Sequence, residues 1–421
     1  MRSFVNFVFV AGIGSVFFTT VACHSSGGDS APGLTWVKPE DSGEIYGIAR
    51  LEVRFEGGGT VTRVSFYVDK EKEDYLIGRV SAPAGPTGML PWYTTDAKSG
   101  PHTLIAVARF AGGSEARASR PVVVANVSRS EAIPPGAVKM RPDLDAHPPQ
   151  LEPSFQVIFE DPVPLPGPIN TAGAEDSPFI TPDAQWFYVW FTPDPNVPPE
   201  EQVFDRVTGI YQSRRDGDDW TDPERVFLNY FDDPALDGAE TVADDTLWFG
   251  SIRAGNYREI DMYTARLVEG RWRDWTNAGE LLNASFEIGE LHVTPDGLAI
   301  YFDSSRAGGL GKKDIWVTRF VGGTWQEPEN VAAVNTAATD GWPALSATGA
   351  ELWFTRDDLV APAIYRSLQV AGAWSEAERV LQPFAGEPTL DAQGNLYFVH
   401  HFWDDAADQM IEADIYVCYR K

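Results

Sequence analysis

Acidic side chains recur along this chain at Glu175-Asp176, Glu240, Glu290, Asp340 and Glu387. Carboxylates brought to one axis repel each other. They call for a cation, a basic partner or raised pKa values. Two facing carboxylates roughly 5–10 Å apart are the machinery of glycoside hydrolysis, which makes Glu240, Glu290 and Glu387 the candidate catalytic residues. The same acids equally suit hydrogen bonds to backbone N–H groups between neighbouring repeats. His292 follows Glu290 by two positions, so on a strand both point to one face. Trp342 occupies the place in its repeat that Glu290 occupies in the one before. Arg253 and Arg306 each stand four residues after an equivalent Phe, as a repeat-wide structural arginine would. Arg356, His400 and His401 depart from that register, and departures from a repeat are where function is added. The candidate ligand-binding set is Glu175, Asp176, Glu290, His292, Trp342, Arg356, Glu387, His400 and His401.

Several chemistries find no support. Three arginines on one carboxylate would be sialidase-like, but no Ser-x-Asp-x-Gly-x-x-Trp box is present. His292, His400 and His401 have no diagnostic metal spacing, and adjacent histidines on a strand face opposite sides. Neither a metal nor a cofactor is expected, since P-loop, Gly-x-Ser-x-Gly and dinucleotide fingerprints are also missing.

The elements that must position these residues repeat about every fifty residues. The sharpest copy is 289–335. It holds a short run at Leu291-His292-Val293 and a turn at Thr294-Pro295-Asp296-Gly297, where Pro presets φ and Gly accepts positive φ. A second strand begins at Leu298, and a third, Asp314-Ile315-Trp316, follows a Gly-rich connection. Trp325 opens a fourth segment that ends near Asn335. The second-strand aromatic recurs as Tyr188, Trp248, Tyr301, Trp353 and Tyr397. The third-strand aromatic recurs as Tyr211, Tyr263, Trp316, Tyr365 and Tyr416, and the fourth-strand Trp as Trp220, Trp272, Trp325 and Trp374. A fifth such Trp is missing, and 155–159 followed by 164–170 echoes the fourth-strand pattern from the other end. Joining the two ends in one blade closes a ring without open edges. The expected fold is all-β: a five-bladed β-propeller over 154–421, preceded by a β-sandwich over 34–127 and a Pro-rich linker over 128–153.

The motifs Thr294-Pro295-Asp296-Gly297, Ile300-Tyr301-Phe302, Ser305-Arg306-Ala307-Gly308-Gly309 and Asp314-Ile315-Trp316 resemble those of the TolB-like β-propeller family, over 155–421. The resemblance implies the fold and is nearly silent about activity, because such repeats serve binding scaffolds and enzymes alike. Val61 to Asp69 and Gly100 to Ala108 resemble strands of bacterial immunoglobulin-like domains.

Residues 1–22 read as a signal peptide: Arg2, an apolar run, then small residues. Thr20-Val21-Ala22-Cys23 resembles a bacterial lipobox, which implies lipidation of Cys23 and a tether over 23–33. Cys418, the one other cysteine, reads as a small buried hydrophobe. The formal net charge of −28 repels nucleic acid and anionic headgroups. Any membrane association is expected through the lipid anchor alone. Together these readings lead to an exported, envelope-anchored, non-catalytic binding protein, probing periplasm or cell surface from the outer membrane. Its acidic channel rim would take a small polar ligand, a glycan or a peptide. The alternatives are a carbohydrate-active hydrolase and a protein-interaction scaffold.

Overall fold

The computed structural model describes residues 31–421 apart from 41–42, 58 and 358–360. The signal segment and Cys23 lie outside the described residues. The fold is all-β, and no helix among the described residues is long and apolar enough to cross a membrane.

The first unit is two facing sheets. One orders Gly33–Lys38, Ile48–Glu56 and Thr87–Tyr93. The other orders Glu44–Ile45, Glu115–Val124, Gly100–Phe110, Val61–Val68 and Leu76–Ser81. Alternate residues (Leu51 and Val53; Leu104, Ala106 and Ala108) point inward and are fully buried, as the period of two requires. Strands Glu44–Ile45 and Ile48–Glu56 are separated at Gly47, whose φ is +56°. A Cβ there would lie 2.6 Å from the Phe227 ring, so the break lets the sandwich press against the second unit.

The second unit is built from five consecutive antiparallel sheets, here I to V. Sheet I starts with Ala174–Ile180, II with Ala235–Ala243, III with Leu291–Val293, IV with Thr339–Leu345 and V with Ala385–Leu390. These first strands contact each other in cyclic order, I with II through to V with I, so the sheets form a closed ring. Sheets I and V also share one parallel bridge, Ala174 with Ala413.

The recurring aromatics are what joins one sheet to the next. Tyr188 of I meets Trp272 of II at 6.4 Å between ring centroids. Trp248 of II meets Trp325 of III at 6.5 Å, and Tyr301 of III meets Trp374 of IV at 6.2 Å. Most of these contacts are edge-to-face, the arrangement favoured by the ring quadrupole. At the closure, Trp353 of IV meets Phe159 at 6.1 Å. Phe159 thus takes the place of the missing fifth Trp. Each repeat-ending Asn has a parallel task. The Asn335 amide bonds both backbone groups of Ile315, and Asn170 does the same for Ile415.

Closure differs in detail from the expectation. Residues 155–159 form no strand: they make a turn in which Phe159 N–H donates to the Phe155 carbonyl at 2.9 Å. The outer strand of V is Val163–Pro164, paired with Val417 and Tyr416. Pro164 can sit there because an edge strand has no further partner to donate to. The linker is also not free of ladders. Gln150 and Leu151 pair with Gln382 and Leu381 at the edge of IV, immediately after the prolines that prevent pairing before them. Cys418 is buried and free.

Candidate functional site

The first strands of I, II, IV and V each carry a β-bulge, where register slips between Asp176 and Phe179, Gly238 and Thr241, Gly341 and Ala344, and Gly386 and Thr389. The bulged residues Ser177, Ala239, Trp342 and Glu387 have φ between 47° and 55°. Left-handed backbone costs a non-glycine residue about 1–2 kcal/mol, so packing must hold it in place. The bulges turn these residues toward the ring axis, where they line a cavity of about 50 Å³ together with Glu240, Glu290 and His292.

Three carboxyl groups line it, and Asp176 stands beside them. Glu240 is only 5% exposed, and neither of its carboxyl oxygens has a hydrogen-bond partner among the described residues. Burial, then the charges of Glu290 and Asp176, hold its pKa well above the usual range. Glu290 is pushed up to about 8, first by burial and then by the charge of Asp303, against the opposing pull of Lys313. Glu387 is held well above the usual range by burial and by the charges of Asp176 and Glu290. For Asp176 burial acts upward as well, but the nearby His401 imidazole, the Ser177 N–H at 2.9 Å and Glu387 together outweigh it and leave the group low. His401 Nε2 lies 3.8 Å from Asp176. At neutral pH Asp176 therefore carries a negative charge, whereas Glu290 keeps its proton. Burial pushes His292 down to about 4, so this ring is neutral. It stands 6.3 Å from Phe179 of sheet I.

One participant was not legible in the sequence. Lys313 Nζ lies 3.1 Å from Asp303 and 5.3 Å from the Trp342 ring. Its pKa is raised, first by the charge of Asp303. A Cβ on Gly311 would lie 2.0 Å from the Ala338 carbonyl oxygen. That close passage carries the Gly-rich connection across to IV and delivers Lys313. The only signal was the unusual glycine content before Asp314.

Other candidates are placed elsewhere. Glu175 is fully buried and paired with Arg129 at 3.2 Å, and it accepts from the Thr171 N–H at 2.8 Å. Asp340 is paired with Arg356 at 2.6 Å and accepts from the Thr336 N–H at 2.7 Å. Asp237 is paired with Arg253 at 2.7 Å. In each case the arginine also donates to a backbone carbonyl: Ile169, Val334 or Leu228. The reading of Arg356 as off-pattern is thus corrected: it belongs to a recurring carboxylate–arginine–carbonyl clasp. His400 occupies the matching position in V, opposite Ala385. There it bonds Asp145 at 2.8 Å and the Phe384 carbonyl at 3.1 Å, fully buried. The paired segments Asn170-Thr171-Ala172 and Asn335-Thr336-Ala337 before the two acids were the sequence signal for the clasp. Arg306 lies over Trp316 at 5.0 Å and reaches Glu327 at 3.6 Å, a structural role.

The mouth therefore unites Asp176, Glu240, Glu290, His292, Trp342, Glu387 and, through Asp176, His401. Protonated carboxyls both donate and accept, so the site suits hydroxyl or amino groups. Among the described residues no group of three or more His, Cys, Asp or Glu has metal-holding geometry.

No protein-family model and no curated protein matches the chain. Among solved structures it is similar to a putative TolB from Agrobacterium tumefaciens, at 15% identity over 86% of this chain and 99% of that one, with a TM-score of 0.35. TolB from Acinetobacter baumannii is similar at 13% identity over 76% of this chain and 66% of that one, TM-score 0.29. An endo-β-1,4-mannanase from Thermotoga petrophila is similar at 16% identity over 23% of this chain, TM-score 0.20, and the chain covers 20% of its length. These superpositions are weak and say nothing of what this chain binds.

Proposed function

We propose that this chain is an envelope-anchored, non-catalytic binding protein. In this reading an immunoglobulin-like sandwich stands near a lipidated Cys23, and a five-bladed β-propeller presents its mouth to a small polar ligand, a glycan or a peptide segment. The observation that carries the reading is Glu240: a buried carboxyl with both oxygens unpartnered among the described residues, at a mouth shared with Glu290 and Glu387. Leaving such a group unsatisfied costs about 1–3 kcal/mol, which a ligand hydroxyl or amine would recover.

The cavity volume bears on the mode of binding. About 50 Å³ is far below the roughly 300–1,000 Å³ of sites that enclose a whole small molecule. The mouth then takes the tip of a ligand whose body lies across the ring. The hydrolase reading is favoured by Glu290, whose pKa of about 8 would keep it protonated as a general acid. The same small volume opposes it, because a sugar ring must sit between the two carboxyls.

Glycan and peptide arrays probed with the wild-type chain and with Glu240→Gln test the proposal. Selective capture that Glu240→Gln weakens at least about tenfold supports it. Capture that is indifferent to this substitution sinks it in favour of a scaffold. Release of reducing sugar that Glu290→Gln abolishes moves the protein to the hydrolase class. Anchoring has its own test. Cys23→Ser is expected to shift the exported protein from the membrane to the soluble fraction, and an unchanged membrane share would refute lipidation.

A further inference from the structure

A second cavity, of about 750 Å³, lies between the sandwich and ring sheets I and II. Its volume falls within the range of sites that enclose a small molecule. Ion pairs hold its two walls together. Arg271 reaches Asp96 at 2.6 Å and lies over Tyr93 at 4.0 Å. Arg206 reaches Glu44 at 2.8 Å and lies over Tyr46 at 5.1 Å. Beside them the Phe231 N–H donates to the Ile48 carbonyl at 2.9 Å. The gap is thus fixed by contacts on both walls.

Three of the polar groups left over in this cleft are donors. Asn126 turns its amide oxygen to the Gly47 N–H at 3.1 Å and to the Thr94 hydroxyl at 2.8 Å. Gln212 turns its amide oxygen to the Trp272 indole N–H at 3.1 Å. A backbone N–H and an indole N–H only donate, so the chemistry of these partners fixes both amide orientations. The NH₂ groups of Asn126 and Gln212 have no hydrogen bond within the described residues. Arg225 is the third donor. Among the four arginines that line the cleft, Arg129, Arg206 and Arg271 each face a carboxylate. Arg225 has no carboxylate in ion-pair contact among the described residues.

The Arg225 side chain is nonetheless seated. Its Nη1 donates to the Val207 carbonyl, and its guanidinium lies 5.6 Å from the Tyr211 ring and 5.8 Å from the Phe227 ring. Its Nε is buried without a partner among the described residues. Gly209, at φ +140°, makes the room: a Cβ there would lie 2.5 Å from Nη2. Asp222 and Glu224 also line the cleft, but both are exposed. A preorganised guanidinium without a carboxylate partner among the described residues, together with two amide donors, matches an acceptor-rich partner, since guanidinium and carboxylate or phosphate oxygens make the stronger, charge-assisted bonds.

We infer that this cleft is a second ligand site, separate from the ring mouth, and that it takes a small organic anion. A carboxylate or phosphate oxygen of the ligand bonds Arg225, Asn126 and Gln212, and a ring of the ligand rests against Tyr46 or Tyr93.

Calorimetric titration of the full chain tests this with inorganic phosphate, glucuronate, glucose 1-phosphate and glucose. At least one of the three anions is expected to bind, with glucose at least about tenfold weaker. Gln212→Glu keeps an acceptor for Trp272 but places a negative charge in the cleft. It should weaken anion binding at least about tenfold, and Arg225→Gln should do likewise. Glu240→Gln, at the mouth, should leave anion binding unchanged. The assignment is overturned if no anion binds the wild-type chain, if glucose binds as well as the anions, or if a folded Gln212→Glu chain retains wild-type affinity. Loss of anion binding in a folded Glu240→Gln chain would also overturn the separation of the two sites.

Discussion

Arg356→Met is expected to lower the stability of the folded chain by about 3–5 kcal/mol, the usual effect of removing one partner from a buried ion pair. Asp340 is completely buried and Arg356 is 13% exposed, at 2.6 Å. The substitution keeps most of the side-chain volume, so packing changes little and the effect isolates the charge. Among the described residues it leaves the Asp340 carboxylate with only the Thr336 N–H and hydroxyl, at 2.7 and 2.8 Å. It also strips a donor from the Val334 carbonyl. Adding Asp340→Asn should recover much of the loss, because a neutral amide needs no counterion. Urea unfolding of the single and double variants measures both steps. A loss below about 1 kcal/mol, the range of exposed ion pairs, would show that the clasp is not a buried structural joint. A binding role for Arg356 would then return.

Glu290→Gln is expected to act in the opposite direction and only at higher pH. The folded-state pKa of Glu290, about 8, lies above its ordinary 4.5. Between those values the folded chain holds a proton that the unfolded chain has released. Stability contributed by this group is therefore fully present at low pH, falls as pH rises through that window, and levels off above about 8. One unit of displacement corresponds to about 1.4 kcal/mol, so the penalty at alkaline pH is on the order of 2–5 kcal/mol. Burial is its main cause, and the Asp303 charge adds to it. Glutamine never ionises, so the variant should match the wild type near pH 5 and exceed its stability near pH 9. Chemical denaturation at both pH values decides the matter. Equal pH dependence in the two proteins would mean that Glu290 ionises freely in the folded state. The electrostatic account of the mouth would then fall.

Much of the ring was legible in residue patterns alone, for a local reason. A strand's side chains alternate with a period of two, and a sheet must cover its neighbour with something large and apolar. Tyr188, Trp248, Tyr301 and Trp353 therefore recur at one strand position, and Trp272, Trp325 and Trp374 recur at another. The structure adds that these two series touch, each sheet's second strand against the next sheet's fourth. Phe159 completing the series explains why the 155–159 segment echoed a fourth strand without forming one.

The site was less legible, because facing is decided by single-residue steps. A shift of one position moves a strand side chain to the other face, and each bulge inserts such a shift. Glu175 and Asp176 are adjacent, yet one is clasped by Arg129 and the other joins the mouth. His400 and His401 divide in the same way, the first to Asp145 and the second toward Asp176. Asp145 lies 255 positions from His400, and no local pattern announces a partner at that distance. The sequence by itself determined the strand grammar, the number of copies and the acids available. The tertiary structure alone decided which acids lost their partners, because burial and pairing depend on what other segments bring within a few ångströms. Glu290 and His292 kept the mouth position that their spacing suggested, whereas Glu175, Arg356 and His400 became joints of the ring.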